Sequence, residues 1–267
     1  MSAPLTAWLE GVGVLGPGLR DWPSASAVLA GRVPYAASPT SIPALECLPP
    51  AERRRTGKVV RLALAVGLEA TARASSERAV LPAVFSSSGG DGENCHEICQ
   101  VLASPERQIS PTRFHNSVHN ASSGYWGIAT GATAASNALC AYDASFAAGL
   151  LEALVQARID ETAVLLIAYD SDYPQPLRSA RPIPDAFGVA LLLTPAARQQ
   201  SLARLTVRLC ATPAERLAEA ELEALRAQIP AARSLPLLRR LARSEAGAVM
   251  IEYRESQSLG IEVSPCH

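Results

Sequence analysis

The segment that most constrains the fold passes from a strand pattern into a helix pattern within a few residues. Residues 138–141 are apolar and predict a strand, and an apolar helix follows from about Ala144 to Arg158. Tyr142 and Asp143 are left on the connecting turn. A strand-to-helix elbow of this kind presents a side chain at the carboxyl edge of a sheet, with the amino end of the helix behind it. Because the helix is apolar nearly all the way round, we expect it to be covered on more than one side.

Patterns elsewhere predict a layered α/β domain with a mixed sheet. Trp8–Leu15 alternates and ends at Gly16-Pro17-Gly18, which is typical of a strand that closes in a tight turn. One long helix is predicted over residues 51–74, directly after two prolines, and a capping box at Thr212–Glu215 predicts another helix that runs to about Gln228. Further predicted elements are a helix over residues 93–102, a second helix after Pro230, and strands over 80–85, 164–169, 187–193, 202–209 and 248–254.

Composition excludes several classes of function. The 267 residues fit one compact domain, and 24 Lys and Arg against 25 Asp and Glu leave a net charge of −1. A chain with this balance has no basic surface for nucleic acid, and no apolar run approaches the roughly 20 residues of a membrane span. The amino terminus does not resemble a secretory signal, so we expect a cytoplasmic protein whose six cysteines are reduced.

Five segments, in chain order, carry a resemblance to a known family: WLEGVGVLGPG, PPAERRRTGKVVRLALAVGLEA, SSGYWGIATGATAASNALCAYDASFAAGLLEAL, AVLLIAYDSD and PDAFGVALLLTP. They resemble the amino-terminal half of the thiolase-like condensing enzymes, the β-ketoacyl synthases of fatty acid and polyketide synthesis. The resemblance spans roughly Ala7 to Pro195. It implies one truncated ketosynthase-like domain over residues 1–267, with a thiolase-like fold reduced to roughly one half and helices on both faces of a mixed sheet. Residues 1–200 resemble the family's half, and residues 201–267 diverge from it.

Two departures from the family pattern bear on catalysis. The Ser123-Gly124 and Gly131 landmarks place Asp143 where the family has its nucleophilic cysteine. The family's two catalytic histidines come from its carboxyl-terminal half, and the only histidine after Asp143 is His267 at the terminus. A carboxylate is a poor substitute for a thiolate in thioester exchange, because the anhydride it would form is high in energy. We therefore expect no catalytic residue in this chain.

The chain is most similar in character to chain length factors, ketosynthase-like subunits that lack the cysteine and pair with an active ketosynthase. Its length and its NSVHNASSGYW segment resemble the small ketosynthase-like proteins of aryl polyene pathways. This resemblance implies a heterodimer with an active ketosynthase, contact with an acyl carrier protein mainly through that partner, and no cofactor or metal. Carried over by position, residues 114–119 and 125–137 would face the partner and its acyl tunnel; the candidates are Phe114, His115, Asn116, Ser117, His119, Tyr125, Trp126 and Asn137.

Simpler interpretations stand beside these assignments. Asp143 could be the N-cap of the following helix, which would explain it without any reaction. Cys140 is expected to lie in the strand and point into the core. Cys95, His96 and Cys99 share a short helix, but with no second ligand pair they favour packing over a metal site.

Two further groups of polar residues also have interpretations that need no catalytic or metal-binding role. His115 and His119 could be polar loop residues near a subunit contact, since no third group supports a metal or general-base role. The basic run of residues 53–55 with Lys58 predicts a solvated helix face, or a docking site for an acidic carrier protein.

The sequence therefore predicts a non-catalytic subunit, or pseudoenzyme, that completes a ketosynthase dimer and shapes the acyl tunnel in polyene or polyketide biosynthesis. Two rivals stay open. One is a stand-alone acyl-transfer or thioester hydrolase activity that uses Cys140 or Asp143 with a loop histidine. The other is a homodimeric scaffold without a synthase partner.

Overall fold

One mixed sheet of eight strands organises the chain in the computed structural model, which describes residues 4–74 and 76–266. The spatial order is β3-β2-β4-β5-β1-β6-β8-β7. The strands are β1 Leu5–Leu15, β2 Ala83–Ser86, β3 Ser136–Leu139, β4 Val164–Asp170, β5 Phe187–Thr194, β6 Ala203–Cys210, β7 Gly247–Arg254 and β8 Gln257–Pro265.

The sheet changes character along its width. Strand β2 pairs in parallel with both β3 and β4. Strand β5 runs antiparallel to β4 and β1, and all further pairs, β1–β6, β6–β8 and β8–β7, are antiparallel as well. The predicted α/β architecture with a mixed sheet is confirmed.

Helices cover both faces of the central strands, which are buried along nearly their whole length. On one face α3 and α6 pack over β1, β2, β4 and β5, and on the other face α7 packs over the same strands. The helices are α1 Trp22–Leu29, α2 Pro50–Arg55, α3 Lys58–Ala70, α4 Gly92–Ala103, α5 Pro111–His115, α6 Ala121–Thr130, α7 Ser145–Ile159, α8 Leu177–Ala180, α9 Ala220–Gln228 and α10 Leu235–Ala242.

A C-terminal cap, defined here as α9, the 3-10 helix Pro230–Ser234 and α10, completes the face that carries α7. Phe146 and Leu150 of α7 share a buried core with Ile229, Ala232 and other residues of the cap. The sequence indicated that α7 needs cover on more than one side. The chain itself provides that cover, with the sheet beneath α7 and the cap beside it.

Two predicted helices differ from the structure. The long helix is interrupted between α2 and α3, because Thr56 is extended and Gly57 takes the N-cap position of α3. The capping box at Thr212–Glu215 was wrong as a helix start, since the backbone N–H of Glu215 donates to the carbonyl of Met250 in β7 and the helix begins only at Ala220. The sequence patterns also missed β8, which pairs with both β6 and β7.

Candidate functional site: the elbow and the free sheet edge

The predicted elbow lies between β3 and α7. Strand β3 ends at Leu139, a 3-10 turn spans Tyr142–Ala144, and α7 begins at Ser145. Within the elbow, Tyr142 has a φ of 52°. This left-handed conformation costs free energy for a residue with a side chain. Asp143 follows one residue later. The strained apex, where this kind of elbow presents its reactive side chain, therefore carries a phenol, and the adjacent position carries a carboxylate.

The carboxylate of Asp143 is bound by two arginines. Arg181 Nη2 donates to Asp143 Oδ1 at 2.6 Å, and Arg233 Nη2 donates to Asp143 Oδ2 at 3.1 Å. Burial by itself lowers the pKa of Arg181, but the hydrogen bond and charge of Asp143 outweigh it and raise that pKa. The guanidinium of Arg181 also lies over the ring of Tyr142, 3.9 Å from its centroid. The expectation that Asp143 is a helix N-cap was wrong, since Ala144 holds that position and no side chain caps α7.

The ion pairs at Asp143 continue into the C-terminal cap. Arg233 Nη1 lies 2.6 Å from Glu252 Oε2 in β7, and Glu252 Oε1 lies 3.4 Å from Arg226 of α9. Side chains of alternating charge thus connect the elbow, the cap and β7. Of these side chains, Asp143, Arg233 and Glu252 line an open cleft of about 740 Å³ beside Tyr142. This arrangement assigns Asp143 a structural contact with the cap.

Cys140 is exposed, contrary to the expectation that it points into the core. It follows the last residue of β3, so its side chain is outside the buried layer. The thiol Sγ donates to the carbonyl of Ser88 at 3.1 Å. His119 lies close by, with Nε2 3.1 Å from the carbonyl of Leu139. The structure thus brings Cys140 and His119 to the same strand end.

A buried carboxylate that the sequence patterns did not single out lies behind the elbow. Asp170 ends β4 and accepts three hydrogen bonds: from Ser88 N at 2.8 Å, from Ser88 Oγ at 2.6 Å and from Ala231 N of the cap at 2.9 Å. Burial raises its pKa to about 6, although those hydrogen bonds act in the opposite direction. An aspartate that directly follows an apolar strand is the signal that could have found it.

Strand β3 forms one end of the sheet, so no strand within residues 4–74 and 76–266 lies beside its outer edge. Ser136 and Asn137 are exposed, and Asn137 Nδ2 donates to Glu152 of α7 at 3.1 Å. Large apolar side chains are exposed too, at the elbow, on α4 and α5, and on the loop after α5, whose His119 contacts the carbonyl of Leu139 at the end of β3. We call this set the β3 surface: the outer edge of β3 with Leu102, Phe114, Val118 and Tyr142, which are 48%, 69%, 53% and 62% exposed.

The residues predicted to face a partner divide into two groups. Phe114, His115, Ser117 and Asn137 are exposed and His119 is half-buried beside β3, so these five remain available. The other three are not available to a partner, and these assignments are corrected. Tyr125 and Trp126 are each 1% exposed within the chain's own core, and Asn116 is 6% exposed. Tyr125 Oη donates to Asn116 Oδ1 at 3.1 Å, which fixes the start of α6 against the loop before it. A helix with apolar residues at both Tyr125 and Trp126 packs inward, and this outweighs the positional analogy.

The cysteine-rich and basic motifs are placed as follows. Cys95 and Cys99 are exposed on α4, so the predicted packing role does not hold for them, and the described residues contain no group of three or more metal-ligating side chains. All six cysteines are free. In the basic run, Lys58 Nζ donates to Asp172 at 2.6 Å and Arg55 pairs with Glu52 at 3.1 Å, whereas Arg54 is exposed.

No helix among the described residues is long and apolar enough to cross a membrane. No curated protein matches the chain significantly. Among solved structures it is similar to a chain from the complex of a ketosynthase with its chain length factor from Xenorhabdus doucetiae, at 26% identity and a TM-score of 0.74 over 97% of this chain and 99% of that one.

Two further structures show the fold. A type II polyketide synthase structure, in which an acyl-carrier protein is bound to its ketosynthase, matches at 10% identity and a TM-score of 0.76 over 98% of this chain and 100% of that one. A ketosynthase from module 1 of the bacillaene synthase of Bacillus amyloliquefaciens matches at 12% identity and a TM-score of 0.58, over 80% of this chain but only 47% of its own length.

The chain is thus about half the size of that modular ketosynthase and equal in size to the matched chains of the two complexes. The described fold is the thiolase-like ketosynthase fold. The family model for the β-ketoacyl synthase N-terminal domain matches residues 26–256, which is far more than half of the chain. The chain therefore belongs to the β-ketoacyl synthase N-terminal domain family.

Proposed function

We propose that the chain is a non-catalytic, chain length factor-like subunit that pairs with an active β-ketoacyl–carrier protein synthase and helps to bound its acyl tunnel. One observation carries the proposal: the elbow has no thiol at its apex or beside it. Tyr142 is at the strained position, and the carboxylate of Asp143 is engaged by Arg181 and Arg233. Hydrogen bonds from two guanidinium groups occupy both carboxylate oxygens and lower their nucleophilicity, so Asp143 is unsuited to attack a thioester.

The residues after the elbow support the same proposal. The resemblance implies that the two catalytic histidines of the family follow its elbow. Here the elbow is followed by the strands β4 to β8 and the C-terminal cap, and residues 144–266 contain no histidine. A group that polarises the thioester carbonyl would have to come from outside these residues.

The β3 surface supports pairing with such a subunit. An exposed strand edge offers unpaired backbone N–H and C=O groups that a strand of another chain can bind. The β3 surface also includes exposed apolar side chains, and Phe114 is a suitable anchor because large aromatic side chains dominate the energetics of interfaces. The Xenorhabdus doucetiae complex, a ketosynthase with its chain length factor, is a precedent for such a pair.

Within this proposal, the acyl carrier protein delivers its acyl chain mainly to the active partner. The exposed side chains of Phe114, His115 and Ser117 would limit the length of the growing chain from across the interface. An aryl polyene or related polyketide is the product class that the sequence resemblance favours. Each of these points rests on the proposed pairing.

Co-expression with a ketosynthase encoded beside this chain tests the pairing. We expect one complex on gel filtration, and we expect Phe114→Asp to weaken the affinity at least tenfold, because it places a charge in a desolvated apolar contact. Leu209→Asp is the matched control: Leu209 is 49% exposed on β6, far from β3 in the strand order. A stable monomer that ignores the ketosynthase, or equal loss from both variants, would contradict the proposal.

The rival enzyme has one observation in its favour, since Cys140 is exposed at the end of β3 near His119. Its thiol donates to the carbonyl of Ser88, however, and His119 Nε2 contacts the carbonyl of Leu139, so the backbone engages both groups. Incubation of the isolated chain with an acyl thioester, followed by mass spectrometry, distinguishes the two functions. The proposal expects no adduct and no released acid; an adduct on Cys140 would replace it with the acyl-transfer function.

The scaffold alternative would use the same β3 surface for a second copy of this chain. It is distinguished by the oligomeric state of the chain alone and after addition of the ketosynthase. A self-dimer that persists in the presence of the ketosynthase favours the scaffold, whereas exchange into a heterodimer favours the proposed subunit.

A further inference from the structure

Tyr142 combines backbone strain with an exposed side chain. Its φ of 52° is left-handed, a conformation that is unfavourable for a residue with a Cβ atom. The residue is 62% exposed, so burial within this chain does little to offset that cost. A strained conformation persists only where other contacts hold it, and such residues cluster at functional sites. The ring of Tyr142 is therefore held either by a neighbour in this chain or by a contact outside it.

Three other described residues with side chains also have a positive φ, but each has an ordinary place in the fold. Glu161 and Ser244 directly follow the C-caps of α7 and α10, where a left-handed residue commonly ends a helix. Arg107 lies in the loop after α4. Tyr142 instead follows a strand and begins the turn that leads into α7, so the end of a helix does not account for its conformation.

Arg181 fixes the orientation of the ring. Its guanidinium lies over one face of Tyr142, 3.9 Å from the centroid, and its Nη2 donates to Asp143 Oδ1 at 2.6 Å. The side chain of Arg181 is only 15% exposed, so it forms a firm support. Since Arg181 covers one face of the ring, the exposed part of Tyr142 includes the other face. An aromatic side chain that is already held in place loses little conformational entropy when a partner buries it.

The position of Tyr142 connects it to the proposed interface. The residue lies shortly after Leu139, the last residue of β3, and it belongs to the β3 surface. Tyrosine and arginine are among the side chains that most often carry the binding energy of protein interfaces. Here the two are stacked on each other at the end of the exposed strand edge. The stacked pair thus continues the surface that the proposed pairing uses.

We propose that Tyr142 is a preorganised anchor for the active ketosynthase, with its ring held by Arg181 so that the free face is buried against the partner. This inference rests on the proposed function, because the ketosynthase is the partner that the β3 surface is proposed to bind. The strain remains in the isolated chain, and contacts in the complex offset it. Stability and binding should therefore respond differently to loss of the ring.

Tyr142→Gly and Tyr142→Ala, each measured alone and with the ketosynthase, test the anchor. Glycine adopts a left-handed φ freely, and a cation–π contact at an exposed ring is weaker than the strain, so Tyr142→Gly should unfold at a denaturant midpoint no lower than that of the wild type. Both variants should bind the ketosynthase at least tenfold more weakly. Tyr142→Ala keeps a Cβ atom and removes only the ring, so its loss of affinity cannot come from a more flexible backbone.

The matched control is Ser244→Gly, which relieves the same kind of strain after α10. It should raise the midpoint and leave the affinity for the ketosynthase unchanged. A lower midpoint in Tyr142→Gly would mean that the ring stabilises this chain's own fold on Arg181, and it would overturn the proposal. An equal loss of affinity in Ser244→Gly would do the same.

Failure of the anchor and failure of the proposed function give different results. If the wild-type chain forms a complex with the ketosynthase and Tyr142→Ala binds with unchanged affinity, the anchor alone is overturned. If the wild-type chain forms no such complex, the proposed function fails and the anchor fails with it. Loss of a self-dimer in Tyr142→Ala, without any effect on the ketosynthase complex, would assign the ring to a second copy of this chain instead.

Discussion

Two regions of this molecule, the face that carries α7 and the outer edge of β3, differ in how they are covered. Beside α7 the chain supplies its own cover: Ala231, Ala232 and Ser234 of the 3-10 helix in the cap are 1%, 0% and 0% exposed. At β3 the described sheet ends, Ser136 and Asn137 are exposed, and Phe114 of the β3 surface is 69% exposed. The cap thus covers α7 within this chain, whereas the β3 surface is left open.

The position of the elbow between these two regions also accounts for the ion pairs of Asp143. Asp143 lies where the self-covered side and the exposed edge meet, and its partner Arg233 belongs to the cap. In this chain Asp143 joins the elbow to the cap. The contrast predicts that changes in the cap alter the stability of the isolated chain, and that changes at β3 alter only what it binds.

The largest expected effect is in the cap. Leu235→Ala removes a fully buried side chain from the core shared with α7, so we expect the free energy of unfolding to fall by about 2–5 kcal/mol. Chemical denaturation of the isolated chain measures it. Leu202→Ala, at a leucine that is 44% exposed, is the control and should change stability by less than about 0.5 kcal/mol. Equal effects from the two variants would show that the cap is not part of the folded core.

A smaller loss is expected at the elbow. Asp143→Ala leaves Arg181 and Arg233, whose side chains are 15% and 17% exposed, without their shared carboxylate, and we expect about 1–3 kcal/mol of destabilisation. Asp143→Cys should be destabilised similarly and should form no acyl adduct with a thioester, since no histidine follows it in the described chain. Thermal unfolding and intact-mass spectrometry measure the two outcomes. An acyl-enzyme in Asp143→Cys would show that the elbow retains its chemistry.

The sequence predicted the elements whose patterns are local and repeated. The strand β1, the apolar helix α7, the elbow between β3 and α7, and the α/β class follow from periodicity and from the resemblance. The prediction failed at Thr212–Glu215, where a strong local capping signal is outweighed by backbone pairing with β7. Capping propensity is worth about 1 kcal/mol, and tertiary packing readily exceeds it.

The site was less predictable, because its contacts join residues that are far apart in the sequence. The ion pair of Asp143 with Arg233 spans 90 residues, and the hydrogen bond of Ala231 to Asp170 spans 61. Neither leaves a periodic signal. The assignment of Tyr125 and Trp126 failed for a different reason. It was carried over by position from the resemblance to ketosynthases, although the apolar character of both side chains indicated burial.

Asp170, which accepts a hydrogen bond from the cap, makes the stability of the isolated chain depend on pH. Its folded pKa of about 6 is above the ordinary aspartate value, so the folded chain binds a proton more readily than the unfolded chain. We expect its contribution to make the chain more stable as the pH falls from 7 to 5, by about 1 kcal/mol. Denaturant titrations of the isolated chain at the two pH values measure the change.

The control for this gain is Asp170→Asn, which cannot take up the proton and should lose that part of the pH dependence. Glu223 acts in a separate window: the hydrogen bond from Arg226 lowers its pKa to about 2, so its contribution is lost only as the pH falls below its ordinary value toward 2. A gain between pH 7 and 5 that survives in Asp170→Asn would assign the effect to other carboxylates.

The smallest effect on stability is expected at the β3 surface, and it is the most informative one. Phe114→Ala removes an aromatic side chain that is 69% exposed in the isolated chain, so unfolding should change by no more than about 0.5 kcal/mol. The same variant should bind a ketosynthase partner at least tenfold more weakly, because the ring would be buried only in the complex. A large loss of stability in the isolated chain would mean that Phe114 belongs to this chain's own core. Unchanged stability with unchanged binding would place the interface elsewhere. Unchanged stability with weakened binding is the result that we expect. It would show that the cap stabilises the chain itself, whereas Phe114 contributes to binding a partner.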